Sequence, residues 1–160
     1  MGVSVGQPVP DFSAAATGDR TVRLSDLRGC RVVLYFYPKD HTPGCTVEGQ
    51  RFRDLHDRFV ASNVVIFGVS RDSLRSHETF RAKHGLPFHL IADSDETLCE
   101  LFEVLKLKKL YGKESIGVER STFLIDESGV LRREWRKVKV DGHAEAVLAA
   151  VEAGAETLRQ

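Results

Sequence analysis

Apolar and polar positions along this chain fall into blocks with two different periods, and the blocks alternate. Val32-Val33-Leu34-Tyr35-Phe36-Tyr37 and Val64-Val65-Ile66-Phe67-Gly68-Val69-Ser70 are continuous apolar runs rich in β-branched and aromatic residues. Both read as buried strands, the second of the kind covered on both faces of a parallel sheet. Between them Phe52, Leu55 and Phe59 recur at a three-then-four spacing, which predicts a helix from Thr42 to about Ser62. After the second run, Asp72 or Ser73 can cap a helix that carries Leu74, His77 and Phe80 and ends at Gly85. Residues 89–92 make a short strand, and Asp93, Ser94 and Asp95 offer N-cap oxygens for a helix carrying Leu98, Leu101, Phe102 and Leu105. The polar, glycine-containing stretch 106–117 reads as an exposed loop. Runs 121–126 and 130–135 flank Glu127-Ser128-Gly129 as a hairpin, and Ala144, Val147, Leu148 and Val151 mark a last amphipathic helix. Near the start, residues 11–13 and 21–24 suggest two short strands around Thr17-Gly18-Asp19, followed by a helical turn over 25–29.

Strands alternating with helices, then a closing hairpin and helix, predict a layered α/β fold. The hairpin requires an antiparallel pair, so the central sheet is mixed, flanked by helices and extended by the N-terminal strands. This is the order of a thioredoxin-like fold. No repeat, linker or low-complexity tract divides the chain, so residues 1–160 are expected to form one domain.

Composition narrows the function classes. Lys+Arg 23 against Asp+Glu 23 leaves no net charge and no lean toward nucleic acid or an anionic membrane. No apolar run approaches membrane-spanning length, and residues 1–6, with no basic region and no long apolar stretch, give the expectation of no secretory signal. Three cysteines, an odd number, do not make a disulfide framework, and a cytoplasmic location with reduced thiols is expected. Six histidines are scattered without metal-ligand spacing.

The chemistry concentrates in Pro38-Lys39-Asp40-His41-Thr42-Pro43-Gly44-Cys45, at the passage from strand to helix. Thr42 suits the N-cap and Pro43 the first helical position, where a missing N–H costs nothing. Cys45 is then about the third helical residue, near unpaired N–H groups and the positive end of the helix dipole. Such a site favours a thiolate, the nucleophilic form. His41 reads as a loop-surface residue, and the basic group Lys106, Lys108, Lys109 and Lys113 as a solvated loop.

Pro38, Thr42 and Cys45 complete a P-x-x-x-T-x-x-C motif, and with it the sequence resembles the peroxiredoxins (AhpC/TSA superfamily). Within them it is similar to the bacterioferritin-comigratory-protein branch, also called peroxiredoxin Q. Further matches are Gly68-Val69-Ser70, Ala92-Asp93-Ser94-Asp95, Tyr111-Gly112-Lys113, residues 117–126 and Gly142-His143-Ala144, so the resemblance covers nearly the whole chain from Gly6. It implies a thiol-dependent peroxidase acting on hydrogen peroxide and organic hydroperoxides, serving antioxidant defence and cell redox homeostasis, without metal, haem or flavin. It assigns Cys45 as nucleophile, Thr42 as the residue orienting thiolate and peroxide, Arg120 as the active-site arginine and Pro38 as a shield. Preorganised donors of this kind stabilise charge developing on the departing oxygen. Glu48, one turn after Cys45, either anchors Arg120 or faces water. The resemblance leans toward a monomer or weak dimer.

One feature of the family pattern is missing. Many relatives keep a resolving cysteine five residues after the first, where this chain has Gln50; others keep it in the following helix, but residues 73–84 hold none. Cys30 precedes the strand that Cys45 follows, which puts it about 20 Å away, beyond the roughly 7 Å between Cα atoms that a disulfide allows. Cys99 adjoins an apolar helix face and reads as structural. The expectation is a one-cysteine mechanism in which thioredoxin, glutaredoxin or a low-molecular-weight thiol resolves the sulfenic acid. Two alternatives stand beside it. A thiol–disulfide oxidoreductase would need C-x-x-C, absent here; a redox-sensing binding protein or holdase would use Cys45 stoichiometrically.

Overall fold

The structure, a computed structural model, describes residues 2–159, with side chains described to residue 154 except at residue 110. Its strands are β1 (Ser13–Ala16), β2 (Arg20–Arg23), β3 (Arg31–Phe36), β4 (Val64–Ser70), β5 (His89–Ala92), β6 (Leu105–Leu110), β7 (Lys113–Val118), β8 (Ser121–Ile125) and β9 (Leu131–Trp135). The helices are α1 (Pro43–Asp54), α2 (His56–Ala61), α3 (Leu74–His84), α4 (Thr97–Leu101) and α5 (His143–Arg159). A 3-10 turn, Leu24–Leu27, follows β2 where the helical turn is predicted.

Among the described residues the main sheet has seven strands in the order β2-β1-β5-β4-β3-β8-β9. The apolar runs become β3, β4 and β5, mutually parallel, while β8 runs antiparallel to β3 and β1 antiparallel to β5. This is the mixed α/β sheet that the alternating pattern predicts, with the N-terminal strands added at one edge. Every residue of β3 is buried. Because successive side chains point to opposite faces, β3 feeds two separate cores. Val32, Leu34 and Phe36 join Phe67, Phe102 and Phe123 on one face; Val33, Tyr35 and Tyr37 join Phe52, Phe59, Phe80 and Val147 on the other.

Three local readings need correction. The helix predicted over 42–62 is broken at Leu55, whose ψ of 2° leaves the helical range, giving α1 and α2. Periodicity is blind to this kink, since Phe52 and Phe59 share one stripe with or without it. The helix predicted to carry Leu105 stops at Leu101, because Glu103 takes a left-handed φ of 55° and Leu105 pairs instead with Val118. The loop predicted over 106–117 is the hairpin β6–β7, turning through Tyr111 and Gly112 at φ 52° and 75°. Two consecutive positive-φ residues make the tight turn that suits strand twist. No helix among the described residues is long and apolar enough to cross a membrane.

Candidate active site

β3 ends against β4 with Tyr37 N–H donating to the Val69 carbonyl, and the chain then turns away from the sheet into residues 38–42. Thr42 has extended angles (φ −93°, ψ 151°) and Pro43 opens α1, as expected of a capped helix start, so Cys45 is the third helical residue. Its side chain is 2% exposed. The Thr42 hydroxyl makes no cap bond; it donates to the Lys39 carbonyl at 2.7 Å, which closes the loop on itself and leaves its lone pairs free.

Arg120 reaches this helix start from the other side. Glu119 N–H donates to the Val104 carbonyl and Val138 N–H to the Arg120 carbonyl, which fixes the backbone between β7 and β8. From there Nη2 donates to Cys45 Sγ at 3.4 Å and Nη1 to Glu48 Oε1 at 2.6 Å. Glu48 therefore anchors Arg120 and does not face water; its side chain is 1% exposed. Gly44 permits the approach, since a Cβ there would sit 3.3 Å from Arg120 Nη2. Burial works against the charge of Arg120, but Glu48 and Cys45 outweigh it and lift the guanidinium above its ordinary range.

Among the described residues two buried polar atoms, Glu48 Oε2 and the Tyr35 hydroxyl, have no hydrogen-bond partner. A buried carboxylate bonded through one oxygen is costly to ionise. Burial accordingly pushes the Glu48 carboxyl up to about 7, with Arg120 pulling the other way. Burial, then the negative field of Glu48, also drives the Tyr35 phenol well up, so it stays neutral.

The structure thus joins Cys45 and Arg120 directly. Thr42 occupies the N-cap position of the helix that carries Cys45 without a side-chain cap bond, and half-buried Pro38 begins the loop and lines a shallow hollow with Lys39, Arg71, Asp72, Ser94 and Glu96. Among the described residues no hydrogen bond links Thr42 or Pro38 to the sulfur. The other cysteines are elsewhere. Cys30 precedes β3 at the opposite end of the sheet, and no disulfide is formed. Cys99 is fully buried in the core on the other face of the sheet from Cys45. Burial first, and then Asp93, push its thiol well above the ordinary range, the mark of an inert cysteine.

Sequence reasoning missed a second cluster behind the loop. Ligand-type atoms of Asp40, Asp72 and His77 lie within 4.8 Å of one another. Each is engaged: Asp40 with Tyr37, Ser76 and His77, and Asp72 with Ser70 and the Asp40 N–H. The set is a hydrogen-bond network that ties the loop to α3. Nothing in the motif or the spacing announces it, although the helical stripe that includes His77 placed that residue inward.

Residues 5–134 match the AhpC/TSA family. The chain is 52% identical over 148 residues to peroxiredoxin Bcp of Bacillus subtilis, covering 92% of this chain and 94% of the relative. Among solved structures, the Xanthomonas campestris bacterioferritin comigratory protein, described for alkyl peroxide reduction and a trapped intermediate/ligand complex, is 46% identical. Its TM-score is 0.89, with 95% and 99% of the two chains covered. A cysteine-to-serine mutant of Xylella fastidiosa PrxQ is 43% identical at a TM-score of 0.92, over 97% and 99% of the chains. The similarity spans both cores, the helix that carries Cys45 and the segment between β7 and β8 that delivers Arg120, and on it the chain belongs to the AhpC/TSA peroxiredoxins of the Bcp/peroxiredoxin Q branch, thiol-dependent peroxidases of thioredoxin-like fold.

Proposed function

We propose that this peroxidase works by a one-cysteine mechanism, with Cys45 as nucleophile, Arg120 as donor to the reacting atoms, Thr42 as the residue whose hydroxyl orients thiolate and peroxide, and Pro38 as shield. The Cys45 thiolate attacks the terminal oxygen of the hydroperoxide. An S–O bond forms as the O–O bond breaks, the departing oxygen takes a proton and leaves as water or an alcohol, and the sulfur is oxidised to a sulfenic acid. An outside thiol then displaces water from that sulfur to give a mixed disulfide, and a second thiol restores Cys45 by exchange. Arg120, already fixed by Glu48, holds its charge where the sulfur and the leaving oxygen need it without reorganising.

The observation that carries this reading is the placement of the three thiols. Cys45 accepts a hydrogen bond from a guanidinium, and the sheet stands between it and Cys99. Hydrogen peroxide and organic hydroperoxides are the substrates. Thioredoxin, glutaredoxin or a low-molecular-weight thiol is the reductant. Residues 1–160 act as one domain, a monomer or weak dimer of the cytoplasm, with no nucleic-acid or membrane partner; three free cysteines and a neutral overall charge support this.

The test is peroxidase turnover with each reductant on wild type, Cys45→Ser and Cys99→Ser, together with mass spectrometry after one equivalent of peroxide. Cys45→Ser should abolish turnover and Cys99→Ser should leave it intact, with a sulfenic acid or mixed disulfide on Cys45. A Cys45–Cys99 disulfide would overturn the one-cysteine mechanism, and peroxide loss that stops after one event would favour a sensor or holdase.

A further inference from the structure

A buried sulfur presents an outside thiol with a problem that the small peroxide does not meet. Attack on the sulfenic acid requires a second sulfur to come into line with Sγ, and Cys45 is 2% exposed. The loop over 38–42, the first turn of α1, or both must move before reduction. What holds them shut decides how the enzyme divides its time between the two half-reactions.

Side-chain contacts from this loop to the rest of the molecule converge on one place. Asp40 N–H donates to Asp72 Oδ2 at 2.9 Å, in the turn before α3. The Asp40 carboxylate is 3% exposed and accepts from Tyr37 Oη at 2.6 Å, Ser76 Oγ at 2.8 Å and His77 Nδ1 at 2.7 Å. The next residue, His41, sets its ring edge-on against Phe80 at 5.2 Å. Ser76, His77 and Phe80 form one stripe of α3, so two consecutive loop residues are gripped by one helix face. The far end of α3 is itself tied down, since Arg53 Nη1 donates to the His84 carbonyl. The helix is the fixed jaw, and the loop is the part able to swing.

The loop is also held in a conformation it would not choose. His41 has φ 64°, the left-handed region that costs a residue with a Cβ. Cutting the hold should therefore let it go. The main contact is a buried hydrogen bond between a carboxylate and an imidazole. His77 Nε2 faces the Ile91 carbonyl at 2.9 Å, and a carbonyl only accepts, so that nitrogen carries a hydrogen. Nδ1 faces the Asp40 carboxylate, which also accepts from two hydroxyls, so the ring is held at both nitrogens. Burial alone would raise the Asp40 carboxyl; the bond and charge of His77, with Tyr37 and Ser76, outweigh it and bring it below the ordinary range.

We propose that Asp40 and His77 are positioning residues for Cys45: their buried pair latches the loop over 38–42 and the first turn of α1 onto α3, and its strength sets how readily the oxidised sulfur is presented to the external thiol. The latch rests on the reading of Cys45 as a nucleophile resolved from outside. Neither residue touches the peroxide.

The test compares wild type, Asp40→Asn, His77→Gln and Ser76→Ala in the full chain by three measurements. These are hydrogen exchange of the amides over 40–49, the single-turnover rate of Cys45 oxidation by hydrogen peroxide, and the rate at which 2-mercaptoethanol captures the preformed sulfenic acid. Asp40→Asn and His77→Gln should speed exchange over 40–49 about tenfold and speed capture about tenfold, a shift of about 1.4 kcal/mol in the opening equilibrium, while oxidation, carried by the closed form that stays in the majority, slows much less and exchange in β3 and β4 is unchanged. Ser76→Ala removes one half-buried donor and should move all three in the same directions by a smaller factor, which keeps the test alive if the stronger variants do not fold. Oxidation and capture falling together, exchange rising across the whole sheet, or no change in Ser76→Ala when the others fail to fold would each overturn the latch. If wild type forms no sulfenic acid, the reading of Cys45 fails instead, and local exchange still judges the latch because it needs no peroxide.

Discussion

At the scale of single residues, the site turns on one guanidinium shared between a sulfur and a carboxylate. Arg120→Lys keeps the charge but loses the planar fork that bonds Cys45 and Glu48 at once. The rate of peroxide attack should fall on the order of 100-fold, about 3 kcal/mol in the barrier, measured by stopped-flow oxidation of Cys45. Glu48 makes a prediction about pH. Burial raises its carboxyl from 4.5 to about 7 against the pull of Arg120. A group whose value is higher folded than unfolded contributes its full stability below the unfolded value and loses it as pH rises through the folded one. Wild type should therefore lose on the order of 2–3 kcal/mol between about pH 4.5 and 7.5 from this group, a loss that Glu48→Gln does not suffer. Urea unfolding of both proteins at pH 5 and pH 8 measures the difference, which should favour the variant at the higher pH.

At the scale of elements, α1 carries its own weak point. Gly49 is buried one turn after Cys45, and an added Cβ would meet Leu86 and the Tyr35 hydroxyl at 3.5 Å, ordinary contact distances. Alanine fits, so the main effect of Gly49→Ala is to stiffen the turn, by about 1 kcal/mol. Reduction by an outside thiol should slow severalfold while peroxide attack keeps its rate; an equal change in both steps would refute the idea. The elements themselves were unequally legible. α3 followed from local signals alone, with the Ser73 hydroxyl accepting from Ser76 N–H and Gly85 closing the helix at φ 59°. The hairpin β6–β7 was read as a loop because its outward Leu107 and Ile116, both more than half exposed, bury nothing that would make their alternation stand out. The Tyr111-Gly112 pair was the available signal, and tyrosine is not a usual residue for a left-handed turn position.

At the scale of the whole molecule, the sheet is a wall between two cores, and it separates two of the thiols. Cys99 packs fully buried in one core while Cys45 edges the other. Cys99→Ala should lower the melting temperature by a few degrees, for a loss of about 1 kcal/mol, and leave turnover with every reductant unchanged. The second core also explains acid behaviour. Burial, with the field of Arg120, pulls His143 down to about 4, and its Nε2 meets the Thr122 hydroxyl at 2.7 Å. A base held low in the fold contributes stability above its unfolded value of 6.5 and loses it as pH falls through about 4. The imidazole carbon signals of His143 in NMR should stay those of the neutral ring down to about pH 4.

The sequence by itself determined the parts that depend on near neighbours: the alternating strands and helices, the capped start of α1, and Cys45 as its third residue. A helix period, an N-cap and a proline at the first position act over a few residues, so a few residues reveal them. The family resemblance also assigned Arg120, but not what holds it. The contact of Arg120 with a sulfur 75 residues earlier, the choice of Glu48 as its anchor, and the Asp40–His77 pair across 37 residues exist only once β3, β8 and α3 are in register. So does the wall that separates Cys99 from Cys45. Those are tertiary decisions, because burial and pairing over such separations are set by how the layers pack and not by any period along the chain.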